Sequence, residues 1–239
     1  MKKETIPPEL IKLLTSDEIM MFSELQIKIQ ELNDKTNLTR LTDGLDYWIS
    51  QVYDSIWIFK DKNYNNLNKK KFIDIGSGCG FPGLAYAILH PDSEIYLVDS
   101  SKKKADSLSK IINSINFHNN LYVINDRIEN IGHHSSFRNS FNIATARAVS
   151  NPSTVSEYIL PILKEKGIGI LYCGKWDHEN NKTLVSSLEI LGGKIIEIKN
   201  ISLPMGKGSR NAIIIKPDRL CPEIYPRRVG KPEKYPLKG

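Results

Sequence analysis

A short apolar run, Phe72-Ile73-Asp74-Ile75, opens directly into Gly76-Ser77-Gly78-Cys79-Gly80. Glycine on alternate positions after a strand lets the backbone turn sharply and approach a ligand closely. A helical stretch, Leu84 to Leu89, follows and offers free N–H groups at its start. A strand, a glycine loop and a helix in that order mark the place where an open α/β sheet takes a nucleotide-like ligand. A tight structural turn is the plain alternative.

The chain around the loop agrees with that architecture. Apolar residues recur at helical spacing in Ile19, Phe22, Leu25, Ile29 and Leu32, and a second helix is expected from about Leu45 to Phe59. Asp61 to Lys71, rich in Asn and Lys, reads as a linker. Beyond it, strands are expected at 72–75, 94–98, 121–124, 141–145 and 168–172. Helices are expected at 84–89, 102–115, 155–163 and 184–191. Strands alternating with helices indicate βαβ units and a parallel sheet. Residues 194–198 and 212–215 have no helix between them, so an antiparallel pair at one edge is expected. The expected fold is α/β and Rossmann-like: a mostly parallel seven-stranded sheet with an antiparallel edge strand, plus N-terminal helices. Three segments follow: residues 1–68 helical, 69–216 the ligand-binding domain, and 217–239 a basic tail. Pro222, Pro226, Pro232 and Pro236 make that tail extended rather than helical, lying across the domain.

Charge narrows the partners. The net charge is +6. Residues 205–239 carry nine basic and three acidic groups, so they account for all of it, and residues 1–204 sum to zero. A basic face confined to one end suggests a polyanion; a solvated tail is the bland reading. No run of about 18 apolar residues suggests a membrane span. The opening residues lack the apolar stretch of a secretory signal. Cys79, Cys173 and Cys221 form no Cys-x-x-Cys pair, so no metal site is suggested and a reducing cytoplasm is the expected compartment.

Two details decide between ligands. The spacing is Gly-x-Gly-x-Gly, and Phe81 stands where a dinucleotide fingerprint has Gly or Ala. Asp99 ends the second strand, where a carboxylate can accept from both ribose hydroxyls of an adenosyl group. S-adenosylmethionine carries adenosine without phosphates and fits both. Asp74 can reach toward its methionine end. Asp126-Arg127-Ile128-Glu129 closes the third strand, where Ile128 could pack on adenine and Glu129 meet its edge.

The acceptor is harder to read. The fourth strand ends in Thr145-Ala146-Arg147-Ala148, without the Pro-Pro-aromatic motif of exocyclic amine methylation. Methylating a pyrimidine carbon needs a cysteine nucleophile, and Cys173 has no base partner nearby in sequence. Guanine N7 has a free lone pair and needs orientation rather than a base. Arg147 could orient such a guanine through O6, or contact the methionine carboxylate. Lys175, Arg210, Arg227, Arg228, Lys231 and Lys234 are candidates for phosphate contacts, with Tyr225 and Tyr235 available for stacking. Removing the tail at Pro217 is expected to spare the cofactor and reduce RNA affinity.

Together, Asp-Ile-Gly-Ser-Gly-x-Gly-Phe-Pro-Gly (74–83), Val-Asp-Ser (98–100), Arg-x-Glu (127–129), Thr-x-Arg-Ala (145–148), Lys175 and Tyr-Pro-Arg-Arg-x-Gly-x-Pro-x-x-x-Pro-Leu (225–237) resemble the ribosomal RNA small subunit methyltransferase G family. Asn37-Leu38-Thr39 and Asp54-Ser55 match as well. The resemblance runs from about residue 33 onward. It implies a class I S-adenosylmethionine-dependent methyltransferase that modifies N7 of a guanine in 16S rRNA, in the small subunit or its assembly intermediate; separately, a monomer is expected. It implies cofactor contacts at Gly76, Phe81, Asp99, Ser100, Ser101, Ile128, Glu129 and Arg147, and Gly78 of the glycine loop is a further cofactor candidate. Gln51 and Trp176 depart from the family's usual His and Gly. A nicotinamide-dependent oxidoreductase and a non-catalytic RNA-binding protein of the same fold are the competing readings.

Overall fold

The structure, a computed structural model, describes residues 6–64, 67 and 69–238. Residues 1–5, Asn65, Asn66 and Asn68 of the expected linker, and Gly239 lie outside the described residues.

Helices α1 (Pro8–Leu13) and α2 (Ser16–Thr36) come first. Thr15 starts α2 with a reciprocal cap. Its hydroxyl accepts from the Glu18 N–H at 3.2 Å, and the Glu18 carboxylate accepts from the Thr15 N–H at 2.7 Å. Two free donors of the helix end are thereby satisfied. The helix expected near Leu45 to Phe59 consists of α3 (Gly44–Tyr47), a π-helical turn (Trp48–Tyr53) and α4 (Asp54–Ile56). A π turn widens the helix by about one residue and re-aims its side chains.

Strands β1 (Lys71–Ile75), β2 (Glu94–Val98), β3 (Asn120–Ile124), β4 (Phe141–Arg147), β5 (Leu163–Cys173), β6 (Gly193–Ser202) and β7 (Ser209–Pro217) form one sheet in the order β3-β2-β1-β4-β5-β7-β6. The first five are parallel, and β7 runs against both its neighbours. The expected antiparallel pair is present at one edge. The reversed strand is β7, second from that edge, with β6 outside it. Between the strands run α5 (Gly83–Leu89), α6 (Lys102–Ser114), α7 (Ile128–Ile131), α8 (Pro152–Ile159) and α9 (His178–Leu191). The helix expected to reach residue 163 stops at Ile159 and tightens into a 3-10 turn, Leu160–Ile162. Pro161 has no N–H with which to continue it.

Alternate strand residues point to opposite faces. Phe72, Ile143 and Ile214 pack with α2, α5 and α6; Ile73, Ala144, Ile213 and Ile215 pack with α8 and α9. The N-terminal helices therefore share one core with the sheet.

Past Pro217 the chain crosses back over α8. The Arg138 guanidinium donates to the carbonyls of Tyr225 at 2.7 Å and Cys221 at 2.9 Å. The Thr154 hydroxyl donates to the Pro232 carbonyl at 3.0 Å. The segment is not wholly extended: Lys231–Lys234 forms a short helix, α10. Gly230 turns into it with φ +78°, and Pro232 sits in the first turn, where a missing N–H costs nothing. Among the described residues, no helix is long and apolar enough to cross a membrane.

Candidate active site

The strand order reverses between β1 and β4, and the glycine loop lies at the carboxyl end of β1, at that reversal. Gly76 has φ +68°, and a Cβ there would stand 2.7 Å from Val149 Cγ2. Gly80 has φ +105°, and a Cβ there would stand 2.4 Å from Leu84 Cδ1. Both positions demand glycine, once for the turn and once for the space. Asp99 holds the loop: its Oδ2 accepts from the Gly78 N–H at 2.9 Å, and its Oδ1 accepts from the Ser101 N–H at 2.8 Å. Each carboxylate oxygen keeps a further lone pair for a ribose hydroxyl.

A cavity of about 250 Å³ opens beside Asp99. Its walls come from the ends of β1, β2 and β4 and from the loop after β3. They include Gly76, Ser100, Ile128 and Val149, the carboxylates of Asp99, Asp126 and Glu233, and the cations Lys104 and Arg127. Arg127 is already paired with the buried Glu129, at 2.9 Å.

A second cavity of about 450 Å³ adjoins it, sharing Gly76, Lys104 and Ala148. Gly78 and Phe81 form one side, Thr39, Gln51 and Asp54 another, and Arg147, Tyr172, Cys173 and Arg210 a third. Arg147 donates to the carbonyl of Ser50 at 3.3 Å, to Ser55 Oγ at 3.2 Å, to Asp54 Oδ2 at 3.4 Å and to Gln51 Oε1. Ser50 and Gln51 lie in the π-helical turn and Asp54 directly follows it, so all three face Arg147 from one side of the helix. Arg210 Nε donates to the same Asp54 oxygen at 3.2 Å.

Several predicted residues stand elsewhere than the sequence suggested. Asp74 is fully buried beneath the loop, accepting from the Thr145 hydroxyl at 2.8 Å and the Gly83 N–H at 3.0 Å. It bridges β1, β4 and α5 and lines neither cavity. Burial lifts its carboxyl to about 6, against the pull of the Thr145 and Gly83 hydrogen bonds. Glu129 turns toward the tail: its Oε1 accepts from Arg127 and from the Gly230 N–H at 2.9 Å. Burial raises its pKa, but those two donors outweigh burial and hold it below the ordinary value. Ser101 precedes α6 and lines neither of these cavities. Gly76, Asp99, Ser100 and Ile128 meet at the smaller cavity, and Gly76, Gly78, Phe81 and Arg147 at the larger. Sequence reading missed Lys104 and Glu233. It also missed Ala148, a non-glycine residue at φ +56° shared by both cavities. A Lys-Lys-Lys run after Asp99 was the available signal for Lys104; nothing local marks the others.

The family model described as rRNA small subunit methyltransferase G matches residues 18–210. The chain belongs to that family. Relatives named ribosomal RNA small subunit methyltransferase G include one from Prochlorococcus marinus strain MIT 9515, 69% identical over 239 residues and 100% of both chains. Another, from Prochlorococcus marinus subsp. pastoris, is 70% identical over the same span. Among solved structures, a variant of MtNAS in complex with S-adenosylmethionine is similar at TM-score 0.54 and 16% identity, over 86% of this chain and 75% of that one. The mitomycin 7-O-methyltransferase MmcR is similar at TM-score 0.54 and 9% identity, over 85% and 69%. At those identities the likeness is one of fold.

In this methyltransferase G family member, Gln51 fills its unusual position productively. Its amide donates to Thr39 Oγ1 at 3.0 Å while its carbonyl holds Arg147. The basic candidates divide. Lys175, Arg228, Lys231 and Lys234 are exposed, Arg210 faces the larger cavity, and Arg227 points inward onto the fully buried Glu157. Glu233 puts the tail on the wall of the smaller cavity, so the expectation that losing the tail spares the cofactor conflicts with the geometry.

Proposed function

We propose that this chain transfers the methyl group of S-adenosylmethionine to N7 of an unpaired guanine in 16S rRNA, within the small subunit or its assembly intermediate. The observation that carries the reading is the pair of adjoining cavities. One presents a buried carboxylate and an apolar wall to an adenosine, and the other gathers two guanidinium groups, both paired with Asp54. The family's name carries the coarser statement, a ribosomal RNA methyltransferase.

The residues present fit the cofactor. Asp99 would take the ribose, Ile128 would pack on the adenine face, and the loop glycines would allow close approach. Three carboxylates on that cavity, Asp99, Asp126 and Glu233, outnumber its cations, Lys104 and the Glu129-paired Arg127, which disfavours the pyrophosphate of a dinucleotide. Bound there, S-adenosylmethionine would supply an electrophilic methyl. The guanine N7 lone pair forms the new C–N bond as the S–C bond breaks, its electron pair staying on sulfur. The positive charge passes to the purine and no proton leaves, so the protein's task is to position and to exclude water. Arg147 orients the base through O6. Cys173 lines the cavity, but burial pushes its thiol up to about 11, which disfavours a thiolate attack on a pyrimidine carbon. In an A-form helix N7 lies in a groove closed to side chains, so the acceptor is an unpaired base.

Transfer of labelled methyl to small-subunit particles, followed by aniline cleavage at N7-methylguanine, tests the proposal. Label on an amine, a carbon or protein sinks the N7 assignment. Binding of NAD in place of S-adenosylmethionine overturns the cofactor. RNA binding without transfer favours a non-catalytic protein.

A further inference from the structure

The larger cavity contains a carboxylate that the transfer described above does not use. The Asp54 side chain is 6% exposed and follows the π-helical turn directly. Its Oδ2 is held from two sides, by Arg147 and by Arg210. Its Oδ1 is buried and accepts from nothing among the described residues. A buried acceptor of this kind is normally paired. Because Asp54 lines the cavity, a small rotation of its carboxylate presents that oxygen to an occupant.

We infer that Asp54 and Arg147 together read the Watson–Crick edge of the acceptor guanine, Asp54 accepting from N1–H and the N2 amine while Arg147 donates to O6. This rests on the guanine-N7 reading above. The pair sets an acceptor beside a donor. Guanine presents the complement: an acceptor at O6, then donors at N1 and N2. Adenine presents a donor at N6 and an acceptor at N1, so each of its groups would meet its like. O6 and N7 are neighbours on the purine. A guanine held by O6 at Arg147 can turn N7 toward Phe81 and the glycine loop, which line the same cavity; the guanidinium carbon lies 6.0 Å from the Phe81 ring centre. The hydrogen bonds from Arg147 to Gln51 and Ser55 fix the direction of that donor.

The same contact helps the chemistry. Methylation at N7 places a positive charge on the purine and strengthens N1–H as a donor. A carboxylate at N1 holds the base more tightly as that charge develops, so its effect falls on the transition state. Two guanidinium groups alone would oppose the charge, and Asp54 offsets them.

The test uses small subunits reconstituted with 16S rRNA carrying guanine or inosine at the methylated position; inosine lacks the N2 amine. Full-length wild type and Asp54→Asn are compared in single-turnover methyl transfer, with calorimetric S-adenosylmethionine binding and thermal unfolding beside it. The wild type is expected to lose about 10-fold on inosine, and Asp54→Asn about 10- to 100-fold on guanine, as for loss of base-edge contacts. The variant should keep its cofactor affinity and show no further loss on inosine. A wild type indifferent to inosine overturns the inference without any variant. So does a variant that keeps the wild-type preference, or one whose lost activity is matched by lost cofactor affinity. A wild type that labels N7 of no guanine overturns the functional reading itself, and this inference with it.

Discussion

Arg227 forks onto the carboxylate of Glu157. Its Nε donates to Oε1 at 2.9 Å and its Nη2 to Oε2 at 2.7 Å, and its backbone N–H adds a third donor at 2.8 Å. Glu157 is completely buried on α8, so this pair pins the tail to the domain. Replacing one partner of a buried pair leaves an uncompensated charge and costs about 3–5 kcal/mol. Arg227→Ala should lower unfolding free energy by that order in urea titrations and speed proteolysis beyond Pro217. A variant as stable as wild type would return Arg227 to the list of free phosphate contacts.

The tail also bears on the cofactor. Glu233 lines the smaller cavity, and the Gly230 N–H holds Glu129 beside it. Ending the chain at Pro217 should weaken S-adenosylmethionine binding measurably in calorimetry. Unchanged affinity would mean that the wall is dispensable.

Asp99→Ala removes the proposed ribose acceptor, the acceptor that holds the Gly78 N–H of the glycine loop and the one that holds the Ser101 N–H. Cofactor affinity should fall by about 1–3 kcal/mol through lost charge-assisted hydrogen bonds. Calorimetry at constant salt measures it, and an undiminished affinity refutes the role.

Ala148 occupies the left-handed region, where a Cβ costs roughly 1–2 kcal/mol. Ala148→Gly should therefore raise the melting temperature while loosening the wall shared by both cavities. Higher stability together with slower transfer is the expected pair of results. A lower melting temperature would contradict the strain.

Asp74 makes stability depend on pH. The folded chain keeps its proton up to about pH 6, whereas an ordinary carboxyl releases it near 3.8. The proton's contribution to stability is full below 3.8 and is lost as pH rises through 6. Asp74→Asn can accept from Gly83 and donate to Thr145 without ever ionising. Its unfolding free energy should gain on wild type by about 3 kcal/mol between pH 4 and neutrality. Parallel pH curves would show that Asp74 stays charged.

What the sequence made legible was local. The glycine loop, the carboxylate ending β2 and the alternation of strands with helices are short-range patterns, and each stands where it was expected. Strand β5 came out longer than its apolar centre because Lys164, Glu165 and Lys166 are exposed and carry no hydrophobic period. The wall residues were illegible for another reason. Asp54 meets Arg210 across 156 positions, and Glu233 reaches a cavity whose first glycine is Gly76. No window of sequence contains both members of either pair. Glu129 shows the opposite hazard: its position fitted a motif, yet its carboxylate serves the tail.

Thr39 and Glu233 stand on the walls of neighbouring cavities, so the working site is drawn from both flanks of the sheet domain. Loosening either flank, the N-terminal helices or the tail, therefore opens the wall of one of the two cavities.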